Sequence, residues 1–172
     1  MAVRTLIFFC LVCFLSVNSL AESSEESIHK GSLESRVNTM ASLQPSLGEM
    51  MHEIANRAAF ANWAANGGNW GLAQYEVEEW LEALEKGGIT EPEKAGMLNA
   101  FGHSYVLPLK ESIEKKNLAQ FNKRFASTVK GCNACHTAVG NNFIKYQVPT
   151  KLEREILDFN LKTEPSHDEE KE

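Results

Sequence analysis

Cysteine is scarce in this 172-residue chain, at four residues, and positive charge is outnumbered, with 17 Lys and Arg against 23 Asp and Glu. The formal charge of −6 argues against a nucleic-acid partner, because phosphate binding needs a basic footprint. No apolar run reaches the roughly 20 residues a membrane-spanning helix requires. No internal repeat is visible, and no convincing strand alternation. No Ser-His-Asp order, phosphate loop or paired-carboxylate arrangement stands out, so no residue is read as catalytic and the chain is not expected to be an enzyme.

What is present begins with an export signal. Arg4 gives a positive start, Leu6 to Leu15 is almost unbroken apolar sequence, and Ser19-Leu20-Ala21 offers small residues at a cleavage site. Residues 1–21 are therefore expected to be removed, leaving no stable membrane insertion and a mature charge of −7 from 16 basic and 23 acidic residues; the alternative is an uncleaved N-terminal anchor. That balance suits solubility and a basic protein partner. Cys10 and Cys13 leave with the signal and have no ligand set around them.

Residues 22–42 are polar and read as a flexible leader. From Leu43 onward the apolar residues recur at three- and four-residue steps. Leu47, Met51, Ile54, Ala58, Ala61 and Ala65 predict a helix over 46–66, stopped by Gly67-Gly68. Trp70, Ala73, Val77, Trp80, Leu81 and Leu84 predict a second over 70–86, ended by Gly87-Gly88, with Glu76, Glu78, Glu79, Glu82 and Glu85 on a solvated face. Thr90-Glu91-Pro92-Glu93 reads as a capping box opening a third helix, which Pro108 should kink or split. Asn117 and Gln120 open a fourth, with Leu118, Phe121, Phe125, Val129 and Cys132 in phase and Gly140 closing it. Residues 141–150 read as extended and lying back over the helices. A short helix is expected at 151–159 and an acidic disordered tail after it. The fold class is all-α: an antiparallel four-helix bundle with a C-terminal extended segment.

Cys132-Asn133-Ala134-Cys135-His136 fits the C-x-x-C-H signature of covalent haem attachment. The spacing suits the chemistry. Positions i, i+3 and i+4 share one helix face, so both thiols can reach the vinyl-bearing edge of a porphyrin while the imidazole turns to the iron. Cys132 and Cys135 are thus the candidate attachment points of one haem c, and His136 the candidate proximal iron ligand. A structural disulfide or a redox dithiol remains open for the same two cysteines. Zinc would need further ligands nearby, and a thioredoxin-like role would need a βαβ setting.

The first predicted helix should lie beside the last, bringing Met50, Met51 and His52 near the motif. Met51 shares the inward stripe and is the candidate distal iron ligand, since a thioether opposite histidine raises the reduction potential. The alternative is that Met51 only packs against the porphyrin. Met50 lies about 100° round the helix and is the substitute. His52 and His103 are weaker candidates, and His29 and His167 fall in polar termini. Lys130 is read as an exposed lysine rather than a propionate partner. Trp63, Trp70, Trp80, Phe101, Tyr105, Phe121, Phe125 and Phe143 can supply apolar walls, although most would be core in any bundle.

With the motif near the end of the last of four helices, residues 43–150 resemble the cytochrome c′ type of class II c-type cytochromes. The stretches Leu47-Gly48-Glu49-Met50-Met51, Asn69-Trp70 and Cys132 to His136 also look like a family of exported bacterial haem proteins. The resemblance implies a periplasmic location, a haem between the first and last helices, and often a homodimer through the first two. Among such proteins, high-spin members leave the distal site open and bind NO or CO. Low-spin relatives carry a methionine there and transfer electrons. Met51 points to an electron carrier with an unidentified redox partner; the alternative is a five-coordinate gas sensor or scavenger. A peroxidase would need a distal acid–base pair, which is not evident. The group often has a basic residue four positions after the haem histidine, where Gly140 stands here, and the extension from Phe143 to Thr150 has no counterpart.

Overall fold

The computed structural model describes residues 28–148, 150 and 157–165. The signal-like run 1–21, leader residues 22–27, most of the predicted short helix (151–156) and the tail from residue 166 lie outside the described residues. Among the described residues the chain is all-α, with no named strand; Asn69 and Thr163 form an isolated backbone bridge. No helix among them is long and apolar enough to cross a membrane.

The chain divides into two compact units, up to Gln44 and from Pro45 onward. In the first, α1 (Leu33–Ser42) replaces the unstructured leader expected for that stretch. Its cause is local. The Ser32 hydroxyl accepts from the Ser35 N–H at 3.1 Å, and the sequence behind it lacks glycine and proline. The helix buries no residue, so neighbouring hydrophobics had given no stripe to read.

The second unit starts with α2 (Leu47–Gly67), opened by a complete capping box. The Glu49 N–H donates to the Ser46 hydroxyl at 3.3 Å, and the Ser46 N–H donates to the Glu49 carboxylate at 2.7 Å. Gly68, at φ +83°, ends it in the left-handed conformation that glycine adopts without a steric penalty. Asn69 caps α3 (Trp70–Thr90), its side chain accepting from the Leu72 N–H at 3.2 Å.

Gly87 and Gly88 do not stop α3, contrary to expectation; the helix runs through both. They are buried contact points. A Cβ at Gly87 would stand 2.9 Å from Leu47 Cδ1, and one at Gly88 would stand 3.2 Å from Ala95 Cα. The capping box expected at Thr90 also fails to form. The Thr90 hydroxyl donates to the Gly87 carbonyl at 3.2 Å, and Glu91 begins α4 (Pro92–Phe101) without a side-chain cap.

Pro108 divides the predicted third helix. Lacking an N–H, it cannot serve the carbonyl four residues back, and the chain takes a π-helical turn at Gly102–Val106 before α5 (Leu107–Glu114). The Leu107 N–H bonds the Gly102 carbonyl, five residues away. Thr128 on α6 (Leu118–Ala138) donates its hydroxyl to the Tyr105 carbonyl at 3.0 Å and ties the turn down.

α2 packs on α3 through small side chains, with Ala58, Ala61, Ala65, Ala73 and Val77 all buried. α4 rests on α3, whereas α5 rests on both α3 and α6. Trp80, Leu109, Ile113 and Phe121 are completely buried, each contributing about 1.5–3 kcal/mol of apolar burial. Glu76 is not on the solvated face assigned to it. It is 1% exposed and accepts from Arg57 at 3.0 Å, while Glu53 accepts from the same guanidinium at 2.7 Å. Burial pushes the Glu76 carboxyl up, and the Arg57 charge opposes it. Phe159 is not helical; it is buried against Phe60 and Trp63, with ring centroids 5.7 and 5.6 Å away.

Candidate functional site

The Asn117 side chain opens α6 by accepting from the Gln120 N–H at 3.0 Å. Its inward stripe then runs through Phe121, Phe125 and Thr128, all buried, at steps of three and four. One step further the stripe arrives at Cys132, which packs on the edge of the core. Beyond it, Cys135 and His136 follow one turn on. The periodicity that builds the helix therefore delivers all three motif side chains to one side of it.

That side faces a cavity of about 1020 Å³, at the upper end of the roughly 300–1,000 Å³ seen for small-molecule and cofactor sites. Cys132, Cys135 and His136 line it from the C-terminal part of α6. Leu47, Met51, Ala55 and Ala58 line it from the N-terminal half of α2. Trp80 contributes from α3 and Met97 and Leu98 from α4, while Ile144 and Tyr146 come from the segment after α6. His52, Glu91, Lys94 and Lys145 bring charge and polarity to the same lining.

The structure thus brings four of the predicted residues together: Cys132, Cys135, His136 and Met51. Met50 instead belongs to the buried core. His52 is exposed on the cavity rim, whereas His103 sits on the π-turn and does not line the cavity. His29 belongs to the first unit, and His167 lies outside the described residues. Lys130 is exposed and off the cavity. Of the aromatics proposed as walls, Trp63 and Trp80 line it, but Phe143 is 78% exposed and walls nothing.

The imidazole of His136 has a defined orientation. Its Nδ1 lies 3.3 Å from the Ile144 carbonyl oxygen, which can only accept. The contact therefore requires a proton on Nδ1, which leaves Nε2 of the neutral ring with a free lone pair for a metal. Both cysteines are free thiols. Burial pushes the Cys132 thiol up to about 12, with Cys135 adding to the rise, and burial raises Cys135 as well. Such thiols stay neutral, unlike the electropositively activated cysteines of redox and nucleophilic sites. A thioether carries no charge to desolvate and suits the same surroundings.

A haem is the group the motif implies, and the residues present fit it. The cavity joins a dithiol edge to an imidazole and a thioether across apolar walls. Trp80 is fully buried beside the cavity, and its indole N–H has no hydrogen-bond partner among the described residues. Among the described residues, no three His, Cys, Asp or Glu side chains converge to hold a bare metal ion.

Sequence reasoning missed Asn133, Tyr146 and the unpaired Trp80 donor. Asn133 occupies a position the motif leaves free, and Tyr146 lies in a stretch without periodicity. Nothing in the sequence distinguishes Trp80 from an ordinary core residue. Comparison with known family profiles, with curated proteins and with solved structures finds no match to the chain.

Proposed function

We propose that this chain is an exported c-type cytochrome carrying one covalent haem, used for one-electron transfer in the periplasm. Cys132 and Cys135 hold the haem as thioethers, His136 is the proximal ligand through Nε2, and Met51 is the distal ligand. The scaffold in this reading is the antiparallel four-helix bundle of the cytochrome c′ type, formed by α2, α3, the interrupted α4–α5 pair and α6. The observation that carries it is the convergence of the two thiols, the oriented imidazole and the Met51 thioether on one apolar cavity.

The group would supply reversible one-electron cycling at iron. What the chain supplies is its environment: apolar walls that exclude water, a fixed imidazole tautomer, and a soft sulfur donor that favours the reduced state. The acidic surface left after signal removal suits a basic redox partner.

The test is expression with a c-type maturation system, followed by intact mass, a pyridine haemochrome assay, and spectra of the oxidised, reduced and CO-treated protein. One haem per chain with little CO uptake is expected. Prompt CO binding would move the reading to an open, gas-binding haem. A colourless matured protein with the mass of bare polypeptide would overturn both.

A further inference from the structure

We propose that the segment 141–148 is a strap that positions the His136 imidazole, with Asn133 as the residue that sets its register. The inference rests on the haem reading for its consequence at iron, but the strap itself stands on four independent contacts.

Asn133 occupies the first free position of the C-x-x-C motif. Its side-chain carbonyl accepts from the Tyr146 N–H at 2.7 Å, and its side-chain amide donates to the Tyr146 carbonyl at 3.1 Å. The amide thus pairs with one residue's backbone as a neighbouring strand would, satisfying both of its polar groups. That double bond fixes which strap residue lies beside which turn of α6. Two residues earlier, where an extended chain returns to the same side, the Ile144 carbonyl meets His136 Nδ1 at 3.3 Å. Between them, Lys145 Nζ bonds the Thr137 hydroxyl at 3.2 Å. At the far side of the cavity the Tyr146 hydroxyl donates to the Ala55 carbonyl of α2 at 3.3 Å.

A slip of one residue would break every one of these bonds and turn Ile144 away from the imidazole. Asn133 therefore acts on the iron through His136, without touching it. A carbonyl that accepts from Nδ1–H fixes the ring's rotation and makes Nε2 a stronger donor, which favours the oxidised metal. Loss of that bond weakens the donor and favours the reduced metal.

Asn133→Ala in the matured haem protein tests this, with Tyr146→Phe as the comparison, because the latter removes only the hydroxyl and keeps both backbone bonds. Asn133→Asp, which keeps the acceptor but loses the donor, provides a milder variant should alanine not fold. The readouts are haem content, hydrogen exchange at the Ile144 and Tyr146 amides, and the midpoint potential. In Asn133→Ala the strap amides should lose protection. The potential should rise by an amount equivalent to a roughly tenfold change in the oxidised-to-reduced ratio, about 59 mV for one electron. Asn133→Asp should release the strap amides less than Asn133→Ala does, and Tyr146→Phe, which keeps both backbone bonds, should move the potential less than Asn133→Ala. Released amides with an unchanged potential would overturn the positioning role, as would an unchanged potential with the strap still protected. If the protein carries no haem, the electron-carrier reading and the effect at iron fail together. Exchange at Ile144 and Tyr146 in the bare chain then still decides whether Asn133 sets the strap's register.

Discussion

Gly131 lies against the face of Tyr105: a Cβ at Gly131 would stand 3.0 Å from two of its ring carbons. The residue before Cys132 is thus where α6 comes down on the π-turn. Gly131→Ala should force the ring or the helix aside, at a cost of about 1–3 kcal/mol for overpacking. Urea unfolding would show a lower midpoint, and the displaced turn carries Cys132, so haem attachment should fall as well.

Met51 lines the cavity while Met50 is core, which makes the two substitutions unequal. Met51→Leu nearly conserves volume and should cost less than about 1.5 kcal/mol. It should nonetheless abolish the long-wavelength charge-transfer band of methionine–iron ligation and open the reduced protein to CO. An unchanged spectrum would leave Met51 as packing alone.

Asn69 holds a corner together. Besides capping α3 at Leu72, its side chain donates to the Asp158 carbonyl at 2.7 Å and accepts from the Thr163 hydroxyl. Asn69→Ala should cost about 1 kcal/mol for the cap, and about 1–3 kcal/mol more for buried groups left unpaired. Denaturant titration followed by tryptophan fluorescence would register both the loss and the release of Phe159 from Trp63.

Glu111 accepts from Lys115 at 2.6 Å and from Arg124 at 2.7 Å, and these partners hold its carboxyl down to about 2. The folded value lies below the unfolded one of about 4.3. The contribution of Glu111 is therefore complete above that value and is lost as the pH falls through about 2. Urea midpoints measured down this range should fall less steeply in Glu111→Gln than in the parent chain. The carboxylate is exposed, so added salt should shrink the difference.

Much of the all-α character was legible because the helices of the second unit bury one face, and burial of one face writes a period into the sequence. Asn117 announced its helix start correctly because capping is a local hydrogen bond. The glycine pair 87–88 misled for a tertiary reason. Its smallness serves contact with Leu47 and Ala95, and no local pattern separates that from a stop. Glu76 misled likewise, since its partner Arg57 is on another helix, 19 residues away. At the site, Cys132, Cys135, His136 and Met51 were readable from spacing, whereas Asn133 and Tyr146 meet through backbone groups that leave no residue-type signature.

The π-turn at Gly102–Val106 carries one residue more than a regular helix would use there, and a single surplus residue rotates everything beyond it by about 100°. Ahead of the turn the chain leans mainly on α3, and past it the chain engages both α3 and α6. Met97 and Leu98, ahead of it, line the cavity. The lining of the cavity is thus set partly by arithmetic in a stretch containing none of the motif residues. Deleting Ser104 would restore an ordinary repeat and swing α4 round its own axis. That rotation would change which α4 side chains line the cavity without touching the residues that give it chemistry.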